Sequence, residues 1–203
     1  MTAALLVSGA ILAGGFSRRL GQDKAALELG GRPLALWVAA ALAPVVSECW
    51  LVTNHPERHL AFGLPLVTDL RPFQGPVGGI MTALFYARTP WVLVAAVDNP
   101  FLSPRLVAAL AAHAAATARP AVVCRSPWGL EPFPGLYATR LLPRLEEFLQ
   151  ADRRPTRFLE VCRPLILPES AVALLDPDSR SFFNLNTPQE LQQATRWLEN
   201  LQP

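Results

Sequence analysis

Trp91-Val92-Leu93-Val94-Ala95-Ala96-Val97-Asp98-Asn99-Pro100 decides the fold of this chain. The apolar run from Trp91 to Val97 has no polar alternation, so it reads as a strand buried on both faces, which is characteristic of parallel sheets covered by helices. It ends abruptly on a carboxylate, an amide and a proline. Working outward, similar apolar runs at residues 5–12, 49–53, 65–68 and 121–124 are candidate strands, and 133–137 is a further one. Between them lie helix-like stretches at 33–45, 77–87, 103–117, 138–149 and 188–198. Pro33, Pro104 and Pro188 suit a helical first turn, and Ser103 and Thr187 suit N-caps. Alternating strand and helix patterns predict an α/β fold with a mostly parallel sheet. Residues 151–186 are rich in Pro and Arg and read as an irregular cap.

In open parallel sheets, ligands sit beyond the carboxyl ends of the strands. Gly14 and Gly15 follow the first candidate strand, Asn54 the second, Asp69 the third and Asp98 the fourth. Strand ends are also polar because they meet solvent, which explains one such residue more easily than the set. Asp98 suits Mg²⁺, which takes one or two carboxylates together with phosphate oxygens and water. An Asp opening a turn before Pro100 is the equal alternative for that residue taken alone.

The first strand runs into Leu12-Ala13-Gly14-Gly15-Phe16-Ser17-Arg18-Arg19-Leu20-Gly21-Gln22-Asp23-Lys24. Glycines there let backbone amides approach an anion. The spacing is neither G-x-x-x-x-G-K-[ST] nor G-x-G-x-x-G. Lys24 is the only lysine among eighteen basic residues. An ammonium and a guanidinium are not equivalent at a phosphate. A lone lysine beside glycines and arginines is therefore a candidate phosphate ligand, against the simpler reading that one codon escaped a compositional bias.

Composition narrows the classes. A chain of 203 residues, half of them hydrophobic, is long enough for one domain with a sizeable core. A net charge of +2 without basic runs gives no ground for nucleic-acid binding. The apolar runs are too short to span a bilayer, and no basic region precedes the N-terminal one, so a membrane partner and a signal peptide are not expected. Cys49, Cys124 and Cys162 are widely spaced and read as buried thiols of a cytoplasmic protein.

LAGGFSRRLGQDKA, together with VTD at 67–69, GPVGGI at 75–80, DNPFLSP at 98–104 and NLNTPQEL at 184–191, resembles the molybdenum cofactor guanylyltransferases, the MobA family. The resemblance covers essentially the whole chain in the family's order. It implies a Rossmann-like three-layer α/β/α nucleotidyltransferase fold in one domain, residues 1–203. The nucleotide part would be about 1–104 and the pterin-side part about 105–203. Leu12, Ala13, Gly14 and Gly15 would lie at the guanine nucleotide, and Lys24 with Arg18 and Arg19 would hold phosphates. Asn54 and Asp69 would face the nucleotide, Asp98 would bind Mg²⁺, and Asn184 and Asn186 would lie on the pterin side. Thr53 could replace Asn54 in its role. Asn99 stands where the family commonly has Thr. The implied partners are GTP and molybdenum-molybdopterin, with contacts to other cofactor-biosynthesis proteins and acceptor molybdoenzymes. Gly15 favours guanine over cytosine. A cytidylyl- or sugar-phosphate nucleotidyltransferase and a non-catalytic nucleotide-binding protein remain the alternatives.

Other features carry less. His55 and His59 sit at i and i+4 without a third metal ligand, and read as a solvated loop and helix start. The tryptophans 37, 50, 91, 128 and 197 read as core packing. Asp152-Arg153-Arg154-Pro155-Thr156-Arg157 is either a phosphate-binding loop or a solvated one. Glu131-Pro132-Phe133-Pro134 is a weak candidate for the pterin side.

Overall fold

The run ending at Asp98 is a strand whose side chains alternate between two apolar layers. Trp91, Leu93 and Ala95 join the core on one face, and Val92 and Val94 join the core on the other. The structure, a computed structural model, describes residues 7–13, 16–17, 22–72 and 74–200. Among these, one sheet contains β1 (Val7–Leu12), β2 (Cys49–Val52), β3 (Leu66–Val67), β4 (Trp91–Ala96), β5 (Ala121–Ser126), β6 (Gly129–Ala138) and β7 (Leu165–Leu167). Their spatial order is β7-β5-β6-β4-β1-β2-β3. β1 is parallel to β2 and β4, β2 to β3, and β7 to β5, while β6 alone runs antiparallel to both its neighbours.

Helices cover both faces: α1 (Leu34–Leu42), α2 (Gly75–Tyr86), α3 (Pro104–Ala112), α4 (Leu142–Phe148), α5 (Pro155–Cys162), α6 (Glu169–Leu175) and α7 (Pro188–Glu199). Leu34, Val38, Leu106, Val107, Val172 and Ala194 pack from α1, α3, α6 and α7 on one side. Val77, Ile80, Leu145, Phe158 and Leu159 pack from α2, α4 and α5 on the other. Each fully buried aliphatic side chain contributes about 1.5–3 kcal/mol relative to exposure. The architecture is thus the three-layer α/β/α fold with a mostly parallel sheet.

The strand order reverses at β1. The chain leaves β1 for β2 and β3 on one side, then crosses through α2 to β4 on the other. Such a switch opens a crevice outside the carboxyl ends of the two strands it separates. Leu12 and Asp98 stand at those ends.

Several expectations need correction. Residues 151–186 are not irregular: they supply α5, β7 and α6, and β7 pairs with β5 at the sheet edge. The α5 stripe Phe158, Leu159 and Cys162 is buried at helical spacing, and Leu165-Ile166-Leu167 is bracketed by Pro164 and Pro168. The 103–117 segment leaves α-helical geometry after Ala112 and finishes as a 3₁₀ turn. The 138–149 segment begins with a 3₁₀ turn before α4. Pro33 lies just before α1, in a short pairing of Glu28–Leu29 with Arg32–Pro33. Trp128, at the tip of the β5–β6 hairpin, is 72% exposed, not packed in the core. The cysteines are free thiols, and burial pushes Cys49 and Cys124 up to about 12 and Cys162 up to about 11, which keeps them protonated and unreactive. Among the described residues no helix is long and apolar enough to cross a membrane.

Candidate active site

Strand ends place the backbone first. Past the last residues of β1 and β4 the ladder continues, with Ala13 N donating to Val52 O at 2.8 Å and Val97 N to Leu12 O at 3.1 Å. These bonds fix the carboxyl edge from which Asp98 emerges. On the opposite wall Gly79 of α2 lies against Leu12. A Cβ at Gly79 would stand 3.0 and 3.1 Å from the Leu12 methyls, so glycine lets the helix approach β1 at the site. That close approach is a physical reason for a glycine in the GPVGGI segment.

Lys24 reaches this edge from a tight turn. Its Nζ donates to Asp98 Oδ2 at 2.6 Å and to Asn186 Oδ1 at 2.5 Å. The side chains of Lys24 and Asp98 are only 12% and 18% exposed. A cation and a carboxylate held at this depth interact more strongly than a surface pair. Three residues separated by up to 162 positions thus meet at one point.

The segment around Asn186 is sewn to Asp98. Leu185 N donates to Asp98 O at 2.9 Å. Asn99 is nearly fully buried, and its Nδ2 donates to Phe183 O at 3.2 Å and Asn184 Oδ1 at 3.3 Å. Asn99 therefore fastens β4 to the 183–186 segment, a role the sequence reading did not give it. From the other side, Thr187 and Glu190 form a capping box on α7. Glu190 Oε2 accepts from Asn186 N at 2.7 Å and from Thr187 N at 2.8 Å. The signal was present in Thr187-Pro188-Gln189-Glu190, which has the spacing of a capping box. Glu190→Ala should cost about 1 kcal/mol, the worth of a typical cap, or roughly 2–4 °C in Tm for a chain of this length. Activity at 25 °C should fall further than that loss of folded protein explains, because Asn186 loses its backbone anchor. Calorimetry and turnover on the same variant check both halves.

Asn54 and Asp69 also meet, with Nδ2 donating to Oδ2 at 2.8 Å. Thr82 Oγ1 of α2 donates to Asp69 Oδ1 at 3.3 Å and accepts from Leu70 N at 3.1 Å. Thr53 is buried, and its hydroxyl accepts from His55 N, so its side chain serves the turn while that of Asn54 extends to Asp69. Asn184 is exposed, and besides accepting from Asn99 it donates through Nδ2 to Phe182 O at 3.2 Å. Gly14, Gly15, Arg18 and Arg19 lie outside the described residues.

The remaining candidates separate. Glu131 accepts from Ser126 Oγ at 2.6 Å; burial raises its carboxyl above the ordinary range, against the lowering effect of that bond. In the Asp152–Arg157 stretch, Arg154 pairs with Asp152 and Arg157 with Glu160, so at least these two guanidiniums are already engaged. His55 and His59 do not share a helix face. His55 is exposed next to Glu57, but His59, expected to be solvated, is 1% exposed and bonded to Asp23. Among the described residues there is no group of three or more His, Cys, Asp and Glu that could hold a metal ion. That leaves one carboxylate and one amide oxygen around the ammonium, a donor set that suits a cation carrying phosphates and water and does not suit a protein-only metal cage.

Comparison with known proteins agrees with the fold and shows the family. The MobA-like NTP transferase domain family matches residues 9–166. The molybdenum cofactor guanylyltransferase of Rhizobium meliloti is 38% identical over 207 residues, covering 95% of this chain and 92% of that protein. The probable molybdenum cofactor guanylyltransferase of Peptoclostridium acidaminophilum is 31% identical over 206 residues, covering 98% and 93%. The crystal structure of molybdopterin-guanine dinucleotide biosynthesis protein A from Archaeoglobus fulgidus superposes with a TM-score of 0.83 at 27% identity, covering 95% of this chain and 99% of that one.

Proposed function

We propose that this chain, which belongs to the MobA-like NTP transferase family, transfers GMP from GTP to molybdenum-molybdopterin and releases pyrophosphate. The observation that carries the reading is the Lys24 ammonium held between Asp98 and Asn186 at the topological switch of the sheet. The names borne by full-length relatives support the choice of nucleotide and acceptor.

An oxygen of the acceptor's terminal phosphate attacks the α-phosphorus of GTP. A new P–O bond forms there, the α–β bridging bond breaks, and its electron pair leaves with pyrophosphate. The attacking phosphate is already an anion, so no general base is needed. Catalysis becomes positioning plus charge neutralisation. Leu12, Ala13, Gly14 and Gly15 offer backbone contacts to the nucleotide, and Asn54 and Asp69 border it. Lys24, aided by Arg18 and Arg19, takes up charge growing on the leaving group. Asn184 and Asn186 face the acceptor. A divalent cation, Mg²⁺ in this reading, would be held by Asp98 with Asn186 beside it, and would neutralise phosphate oxygens when bound. Residues to about 104 form the nucleotide side of one domain, and those beyond it the acceptor side. The free, unreactive thiols fit a cytoplasmic setting.

A thermal-shift series with GTP, CTP, UTP and ATP, each with and without Mg²⁺, tests the nucleotide. Ligand at a hundred times its Kd stabilises by about 2.7 kcal/mol, or roughly 5–10 °C for a chain of this size. GTP with Mg²⁺ should give the largest rise, and an equal or larger shift with CTP would move the chain to cytidylyl transfer. Pyrophosphate release that requires both GTP and molybdenum-molybdopterin completes the test.

A further inference from the structure

His59 is a buried imidazole that no step of this chemistry uses. Its ring is stacked on Phe62, with centroids 5.3 Å apart and planes 28° from parallel. It comes from the segment after β2, yet its Nε2 lies 2.9 Å from Asp23 Oδ2, on the residue immediately before Lys24. The ionised carboxylate only accepts, so the proton of this bond resides on Nε2. The other oxygen, Asp23 Oδ1, accepts from Ala25 N at 2.9 Å, and the Asp23 carbonyl accepts from Leu27 N at 3.0 Å. This arrangement is an Asx-type turn, in which an aspartate side chain bonds the backbone two residues on and shapes the chain between. The residue between is Lys24. The carboxylate thus spans the lysine, with one oxygen on the turn and the other on a histidine anchored in the core.

We propose that His59 is a positioning residue for Lys24, acting through Asp23 to aim the only ammonium side chain at Asp98, Asn186 and the phosphates of a bound nucleoside triphosphate. The role rests on the reading given under Proposed function. Without the imidazole N–H, one Asp23 oxygen loses its donor. A carboxylate with an unclaimed oxygen, one peptide away from the ammonium, competes with Asp98 for it. The side chain then spends part of its time away from the reacting phosphates. Misplacement of about 1 Å is enough to cost a large factor in rate. The near-complete burial of His59 rules out the simpler role of touching substrate itself.

The single lysine makes the arrangement directly observable, because selective ¹³Cε-lysine labelling yields one lysine signal from the whole chain. In the full-length protein that signal should stand apart from the free-lysine position. His59→Ala should move it toward that position. His59→Gln, whose amide N–H can replace Nε2–H, should leave it near the wild-type place. At 25 °C His59→Ala should lower kcat on the order of tenfold, with KM for GTP changed less than about threefold, and His59→Gln should recover most of the loss. In a Lys24→Ala background His59→Ala should cost no further kcat, since residues that act through one group are not additive. An unchanged lysine signal in His59→Ala, or full additive losses in both backgrounds, overturns the role. Should His59→Ala fail to fold, His59→Asn, whose shorter amide cannot reach Asp23, replaces it with the same expectations. A wild-type protein that forms no pyrophosphate from GTP and acceptor would instead overturn the guanylyl reading, while the lysine signal still decides whether His59 aims Lys24.

Discussion

Asp98→Ala should reduce pyrophosphate release on the order of 10³-fold or more, while the protein stays folded. The residue stands past the end of β4, its side chain is not part of either apolar core, and its carbonyl bond to Leu185 N survives substitution. What is lost is the carboxylate that faces Lys24 at 2.6 Å and that would hold the divalent cation. Removing one preorganised electrostatic group costs about 10²–10³ in rate, and this group serves both the ammonium and the cation. Stability should fall only modestly. Breaking a fully buried ion pair costs about 3–5 kcal/mol, but this pair retains some solvent access and Lys24 keeps Asn186, so a loss of about 1–2 kcal/mol is expected. Asp98→Asn separates the two roles. Its amide oxygen can still accept from Lys24, so the stability loss should shrink, whereas a neutral ligand holds Mg²⁺ poorly and turnover should stay low. Calorimetry and turnover on both variants, at several Mg²⁺ concentrations, read these effects independently. Unchanged pyrophosphate release by Asp98→Ala would remove the residue from the mechanism.

The parts of this site legible in the sequence were those where a single local rule applied. The apolar run of β4 had to be buried on both faces, so Asp98 at its end had to emerge at a sheet edge. The same argument located Asn54 and Asp69, which then proved to be hydrogen-bonded to one another. Lys24 stood out because a side-chain type was otherwise absent. Contacts across long sequence distances were not legible. Nothing in Asn99 taken alone announces that it ties β4 to Phe183 and Asn184, 84 and 85 positions along the chain. His59 was misread for a definite reason. A spacing of four residues suggests one helix face only if the segment is α-helical, and here Pro56–Arg58 and Leu60–Phe62 are two 3₁₀ turns that send the rings in different directions. Residues 151–186 were hidden by composition, because arginines and prolines at helix starts masked the short buried stripe of α5 and the three-residue strand between Pro164 and Pro168.

Lys24→Arg should lower turnover on the order of 10- to 1000-fold although it keeps the positive charge. The ammonium occupies a narrow place, with Asp98 Oδ2 at 2.6 Å and Asn186 Oδ1 at 2.5 Å, and little solvent around it. A planar guanidinium spreads the same charge over a larger fork and cannot put one compact donor between two oxygens that the capping box and the β4 end hold in place. Arginine is therefore displaced toward one oxygen or out of the site, and the charge arrives at the wrong point as pyrophosphate departs. Binding of GTP should weaken less than turnover falls, because a displaced cation still attracts a triphosphate in the ground state but no longer follows the charge that develops in the transition state. Steady-state kinetics and a GTP titration on the same variant separate the two effects. A wild-type kcat in Lys24→Arg would show that charge alone suffices there, and that the one lysine among seventeen arginines is an accident of composition.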